Sequence, residues 1–262
     1  MEISAVINTY NEAEKLKDCL KSIQGWVDEI VVIDMGSKDE TLVVAKKSGA
    51  KILEHELTPY VELVRNWSVE KATGDWILVL DPDERIPKML AEKLRSIVKE
   101  GKFEAVSIPR KNIIFGHFIR HTNWWPDYHV RFFKKGKVSW GKKIHQYPEV
   151  KGKIFKLPAR EELAIEHLNY DSVSQFLERQ NRYSEFGAQN RINEGEKFSW
   201  KNFYWKPTRI FLQRYLRHAG FLDGFHGFAL SILACYSQLS EEVKLWEKTQ
   251  PKAGPPLAEK LS

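Results

Sequence analysis

The sequence predicts an α/β fold, a mostly parallel sheet with helices on both faces followed by a helical C-terminal extension, on three observations. Short apolar runs alternate with amphipathic helical patterns through the first hundred residues. Each run ends in a cluster of polar residues. The alternation stops after residue 108, and helical periodicity governs residues 172–247.

Residues 3–7 are an apolar run, and Leu16, Leu20 and Ile23 then fall on one helical face, giving strand, loop, helix. Asn11 with Glu14 three positions later reads as a capping box opening that helix. Glu29–Asp34 is β-branched and apolar, residues 36–39 are a loop, and residues 40–48 are a helix that Gly49 is placed to end. Residues 50–53 form another short strand, and residues 62–73 a helix stopped by Gly74. The fully apolar strand Trp76–Leu80 then runs straight into Asp81-Pro82-Asp83-Glu84. Pro87 suits the first turn of a helix reaching about Lys99, which Gly101 closes. After a run at 104–108, residues 110–160 are rich in His, Trp, Lys and Gly and read as loops and short strands packed over the sheet's open edge. Residues 172–247 read as helices broken at Gly195, at Pro207 and at 220–224.

A chain of 262 residues supports one good core with a smaller appendage. Cys19 and Cys235 lie far apart and form no CxxC pair, which excludes a disulfide framework and a thiolate zinc site and fits a reducing cytosol. The apolar start turns polar at Tyr10, unlike a signal peptide, and residues 228–239 are too short to cross a bilayer, so no spanning helix is expected. The net charge of +6 is uneven: residues 1–103 carry 15 Lys+Arg against 19 Asp+Glu, and residues 104–262 carry 26 against 16. Such a basic half is either a solvated face or a surface for anionic headgroups, phosphorylated glycans or nucleic acid. GKVSWGKK at 136–143 fits most of a P-loop, but Lys143 stands where the Mg²⁺-binding hydroxyl belongs and the flanks do not read as strand then helix. There is no GxGxxG after the first strand and no HExxH, which argues against a dinucleotide dehydrogenase and a zinc hydrolase.

In an open parallel sheet, ligands gather beyond the carboxyl ends of the strands, where each polar cluster falls. Asp81 and Asp83, two apart at a strand end, point their carboxylates to the same side in an extended backbone. They read as a holder for Mg²⁺ or Mn²⁺ bridging to substrate phosphates, the need of a reaction that expels a nucleoside diphosphate. The bland alternative is a turn before the helix at Pro87.

Several motifs in order resemble the family 2 glycosyltransferases, the large inverting group with the GT-A fold. AVINTYNE at 5–12 is similar to their opening strand and nucleotide loop, EIVVIDMGSKDET at 29–41 to the second strand, Arg65-Asn66 with ATGDW at 72–76 to the helix and turn before the metal strand, and DPDE at 81–84 to the aspartate motif. The resemblance implies that Thr9 and Glu12 line a uridine pocket, Asp34 hydrogen-bonds uracil, Arg65 lies near the base, Asp81 takes the ribose side and Asp83 holds the metal. Other roles for some of these residues stay open: Asn11 or Asp39 as helix caps and Arg65 as a surface ion-pair partner. Asp34, an acid closing a buried strand, needs partners that a ligand's N–H groups supply.

The segment HTNWWPDYHVRFF at 121–133, followed by Ile144-His145-Gln146, resembles the bacterial lipopolysaccharide-core β-glucosyltransferases, with Gln146 where their pattern has Glu. It implies Asp127 as the base that deprotonates the acceptor hydroxyl, against a turn aspartate after Pro126. His145 either completes the metal shell or is structural. Residues 206–216 mix Arg with large apolar residues at helical spacing, which suits either a membrane interface or a satellite core. The expected organisation is a GT-A catalytic domain at 1–160, with the donor site in 1–103 and the acceptor side in 104–160. A basic helical extension at 161–250 and a flexible tail at 251–262 complete it.

The implied activity is metal-dependent hexose transfer, of glucose first, from a UDP-sugar donor to a cell-envelope glycan or glycolipid. It would take place in the cytoplasm, peripherally on the inner face of the cytoplasmic membrane, with no nucleic acid as partner. A polyprenyl-phosphate sugar transferase of the same fold is the alternative within this class. An inactive transferase-like domain or a nucleic-acid-binding module is the alternative outside it.

Overall fold

A computed structural model describes residues 2–58, 60–141 and 147–250; His145 and the expected tail at 251–262 lie outside them. In chain order the elements are β1 (Ile3–Thr9), α1 (Ala13–Ile23), β2 (Glu29–Asp34), α2 (Thr41–Lys47), β3 (Lys51–Glu54), α3 (Glu62–Glu70), β4 (Trp76–Leu80), β5 (Glu84–Arg85), α4 (Lys88–Glu100), β6 (Ala105–Ile114) and β7 (His117–Phe118). They continue as β8 (Asp127–Lys134), β9 (Val138–Ser139), β10 (Glu149–Val150), β11 (Ile154–Lys156), β12 (Ile165–Tyr170), α5 (Val173–Asn193), α6 (Trp200–Phe211) and α7 (Gly224–Thr249). They divide into two compact units, one of residues up to 113 with 124–169, the other of 114–123 with the chain from 170 onward.

The first unit is built on a sheet of order β3-β2-β1-β4-β8-β6-β12-β5. β1 lies parallel to β2 and β4 with Ile7 beside both Val32 and Leu80, and β2 lies parallel to β3. Every residue of β1 and β4 is buried, which is why both read as near-continuous apolar runs: helices cover the two faces. Strand periodicity sorts the side chains, so Ile3, Ala5 and Ile7 join Leu16, Leu20 and Leu90 on one face. Val6, Val31, Ile77 and Val79 meet Val64 and Val69 on the other. Burying each such side chain contributes about 1.5–3 kcal/mol.

Three expectations need correction. Residues 127–134, within the stretch expected to be loops and short strands over the open edge, are instead a central strand: β8 runs antiparallel between β4 and β6, sending Phe132 to one face and Phe133 to the other. Asn11 does not cap α1. It sits at φ 51°, and its side chain accepts from Lys38 N–H at 2.7 Å instead. Pro207 does not break its helix but lies inside α6, and the departure from α-geometry comes later, in the turn at Leu212–Arg217. Gly101 closes α4 with φ 65°, the left-handed C-terminal cap expected of it.

In the second unit α7 packs against both α5 and α6. The chain turns between α6 and α7 with Gly227 pressed on the Gly220 backbone, so closely that a Cβ at 227 would lie 1.8 Å from Gly220 O. Asp223 ahead of α7 accepts from the backbone N–H groups of Arg120 (3.2 Å) and His121 (2.8 Å).

Candidate active site

The parallel strands β1, β2 and β4 deliver Thr9, Asp34 and Asp81 to their carboxyl ends, with Thr9 and Asp34 in register. Asp34 Oδ2 accepts from Gly36 N–H (3.0 Å) and Ser37 N–H (2.9 Å), closing the loop after β2 over its own carboxylate. Its other oxygen, Oδ1, is buried with no hydrogen-bond partner, as are Thr9 Oγ1 and Arg65 Nε. Buried acceptors and donors left unmade are costly, so those at the neighbouring ends of β1 and β2 mark a place built for polar groups from elsewhere.

The loops after β1 and β2 are stitched together. Asn11 N–H donates to Ser37 Oγ (2.8 Å), Glu12 N–H to Thr41 Oγ1 (3.0 Å) and Ala13 N–H to Asp39 Oδ2 (3.2 Å), while Lys38 N–H returns to Asn11 Oδ1. Asp39 also accepts from Thr41 N–H at 3.0 Å, so it serves the start of α2, and its hydrogen bonds, the Thr41 hydroxyl first, lower its carboxyl below the usual range.

Beyond β4 the acids meet arginines in strict alternation. Arg65 donates to Asp81 Oδ1 at 2.9 Å; Arg131 donates to Asp81 Oδ2 at 2.5 Å and to Glu84 Oε1 at 2.9 Å. Arg110 approaches the same Glu84 oxygen at 3.4 Å and grips Asp127 Oδ2 through two nitrogens at 3.0 and 2.7 Å. Burial works to raise the Asp81 carboxyl, but Arg131 and Arg65 outweigh it and hold the group well below the carboxylate range. Asp127 behaves alike: burial raises it, the hydrogen bond from His129 and the charge of Arg110 bring it down further. Both carboxyls therefore stay ionised at neutral pH.

Asp127 Oδ1 is shared with His129 Nε2 at 2.9 Å. Burial, ahead of the opposing bond to Asp127, keeps His129 below its usual pKa, so its ring is neutral at neutral pH and Nε2 carries the proton that the carboxylate accepts. Asn112, fully buried, donates to Trp124 O (2.8 Å) and to Asp127 Oδ2 (3.2 Å), which orients its amide oxygen toward His167 Nδ1 at 2.6 Å. His167 Nδ1 is then the donor to that oxygen, and Nε2 stands 3.6 Å from Asp83 Oδ2. A carboxylate and an imidazole so placed, each under a tenth exposed, form a donor pair that suits Mn²⁺ and also accepts Mg²⁺ through oxygen. Among the described residues no three His, Cys, Asp or Glu side chains converge to enclose a cation, so such an ion would draw its remaining ligands from substrate oxygens and water.

Of the residues singled out from sequence, Arg65 and Asp81 are joined directly, and Thr9 and Asp34 share a strand end. Glu12 stands in the stitched loop, and Asp83 faces a histidine that the sequence reading did not name. His145 lies outside the described residues. The missed residues, Arg110, Asn112, Arg131 and His167, lie on β6, β8 and β12, strands that also carry Lys111, His129, Lys134, Glu166 and Asn169, so no break in an apolar run marks them. In β12 His167 shares a face with Ile165, and its strand pairs antiparallel with β5, His167 opposite Glu84.

A sheet of this order, with an acidic turn at the end of its central parallel strand, is the GT-A type of α/β fold. The profile of glycosyl transferase family 2 matches residues 4–151, and the chain belongs to that family. It is 26% identical to an uncharacterized glycosyltransferase of Rickettsia felis, over 94% of this chain and 90% of that one. It is 23% identical to the lipopolysaccharide core biosynthesis glycosyltransferase LpsC of Rhizobium meliloti, over 100% and 98%. Among solved structures it is similar to glucosyl-3-phosphoglycerate synthase from Mycobacterium tuberculosis in complex with Mn²⁺ and UDP-glucose. That match has 24% identity and a TM-score of 0.37, and it covers 42% of this chain and 43% of that one, less than half of either.

Proposed function

We propose that the chain is an inverting glycosyltransferase that moves a hexose, glucose first, from a UDP-sugar to a cell-envelope glycan or glycolipid such as a lipopolysaccharide core. It works in the cytoplasm, in peripheral contact with the inner face of the membrane. The observation that carries this is the buried, unpartnered Asp34 Oδ1 at the end of β2, an acceptor waiting for an N–H such as that of uracil. The relative named for lipopolysaccharide core biosynthesis, aligned over the whole chain, supports the acceptor class. In this reading residues 1–160 are the catalytic domain, with the donor in 1–103 and the acceptor side in 104–160, and 161–250 are the extension.

Thr9 and Glu12 line the uridine pocket, Arg65 lies by the base and Asp81 takes the ribose side. Asp83 and His167 would hold Mn²⁺ or Mg²⁺, which when bound neutralises charge growing on the departing diphosphate. Asp127 is the base. Its Oδ2 is committed to Arg110 and Asn112, so Oδ1, the oxygen shared with His129, receives the acceptor's proton. The acceptor oxygen bonds to the anomeric carbon as the bond to the diphosphate breaks, the electron pair leaving with the diphosphate, and the configuration inverts. A carboxylate held this acidic is a modest base, and it accepts the proton late, once attack has made the hydroxyl acidic.

A polyprenyl phosphate is the second reading of the acceptor, favoured by the basic excess of residues 104–262. The deciding measurement is UDP titration by calorimetry with and without Mn²⁺. Metal-dependent binding that Asp34→Asn abolishes is expected. If GDP or CDP bound and UDP did not, the donor assignment would be wrong.

A further inference from the structure

We propose that the second unit docks on an anionic lipid bilayer through one face of the bent pair formed by α6, the turn after it and α7. The assignment rests on the membrane-facing reading above and gives it residues and a lipid class. Trp200 and Tyr204 on α6 are each 65% exposed, Leu216 in the following turn 55%, and Leu222 and Phe225 at the bend 62% and 79%. Farther along α7, Phe225, Ile232 and Tyr236 recur at helical spacing on an exposed stripe. An array of large apolar side chains on this scale goes beyond the scattered exposure of an ordinary surface and marks a place of contact.

Two observations choose the occupant. Among the described residues no single helix is long and apolar enough to cross a membrane, yet the segments Trp200–Arg217 and Gly220–Thr249 reach that apolarity together while bent by 71°. A hairpin of that shape lies in the headgroup plane with its bend lowered into the acyl boundary rather than spanning. Its shape is held from within: Phe228 packs its ring against Phe211 (6.2 Å) and Tyr215 (5.7 Å), tying the end of α6 to α7.

Charge supplies the second. From residue 197 to 240 the chain carries six Lys+Arg and a single acid, Asp223. That acid is already engaged by the loop at 120–121, including His121 Nδ1 at 2.9 Å. Lys197, Lys201, Arg209 and Arg217 are exposed, and none forms a salt bridge among the described residues. A second copy of the chain would set cations against cations across a twofold axis, whereas anionic headgroups complement them. Aromatic side chains with flanking cations are the composition that partitions to the membrane interface.

The test is flotation of the full chain with phosphatidylcholine vesicles and with vesicles containing about a third phosphatidylglycerol. Binding to the anionic vesicles, weakened by salt, is expected. The double variant Leu222→Asp, Phe225→Asp should lower the partition coefficient by roughly tenfold or more, and Arg209→Glu, Arg217→Glu should remove the preference for anionic lipid. These side chains are exposed, so the circular dichroism of both variants should match the parent. Equal, salt-insensitive binding to neutral vesicles would overturn the proposal, and so would a concentration-dependent dimer that the double variant dissolves in the absence of vesicle binding. UDP calorimetry on the same preparations separates the two readings. Vesicle binding without UDP binding would sink the UDP-sugar donor assignment and leave the docking face standing, and UDP binding without vesicle binding would do the reverse.

Discussion

Arg131 holds two carboxylates with one nitrogen, the half-buried Asp81 on one side and the fully buried Glu84 on the other, and its own exposure is 2%. Burial alone would weaken its protonation, but the two acids raise its pKa further above the ordinary value, so it is a permanent cation. Arg131→Met leaves Asp81 to Arg65 alone and the buried Glu84 to the longer approach of Arg110, and should destabilise the fold by about 3–5 kcal/mol, read from urea denaturation. The acid limb of stability follows from the same groups. Asp81 and Asp127 have folded pKa values depressed below their unfolded value of about 3.9, so their stabilisation is fully present above that pH and is lost as pH falls through the folded values. Denaturation midpoints should therefore hold steady through the weakly acidic range and drop below about pH 4, with a shallower drop in Asp81→Asn. Asn112 holds the His167 ring from behind through Nδ1. Asn112→Ala should lower Mn²⁺ affinity by about 10–100-fold, measured by calorimetry in the presence of UDP, while Asp83→Asn should abolish metal-dependent UDP binding with folding intact. Asp81 and Asp83 were legible in the sequence because a polar pair after a buried strand stands out. Arg131 and His167 were not, because their partners are far away in sequence and only the sheet brings them together.

At the scale of elements, the parallel half could be read almost end to end, since a strand buried on both faces announces itself as an unbroken apolar run. β8 could not. In DYHVRFFK the inward charge of Arg131 interrupts the hydrophobic pattern, and the acids that justify it sit on β4's end and β5. Pro207 misled for a related reason: helix packing tolerates a missing N–H when the rest of the turn is held, and here the residue is buried within α6. Two glycines make element-level tests. A Cβ at Gly74 would meet Ser4 Oγ at 2.7 Å and the backbone of Glu2 and Ser4 at 2.9 Å, so Gly74→Ala should push the turn before β4 off β1 and lower the melting temperature. Gly227→Ala should open the approach of α7 to Gly220 and alter vesicle partition without changing UDP affinity.

For the molecule as a whole, the division into two units implies two levels of persistence. Amides of β1 and β4, paired on both sides and buried throughout, should exchange with deuterium most slowly, a pattern that mass spectrometry of peptic fragments would read. The charge asymmetry belongs to this scale as well: on the proposed roles the acidic first part would carry the nucleotide residues and the basic remainder would face anionic partners, so salt should weaken vesicle binding far more than UDP binding. The stitched loops after β1 and β2 have a consequence of their own. Two segments already joined through Asn11, Glu12, Ala13 and Lys38 do not wait for a nucleotide to gather them. Capture then proceeds as a single encounter with no isomerisation behind it. In stopped-flow mixing this appears as one exponential whose rate climbs linearly with nucleotide concentration and never reaches a plateau.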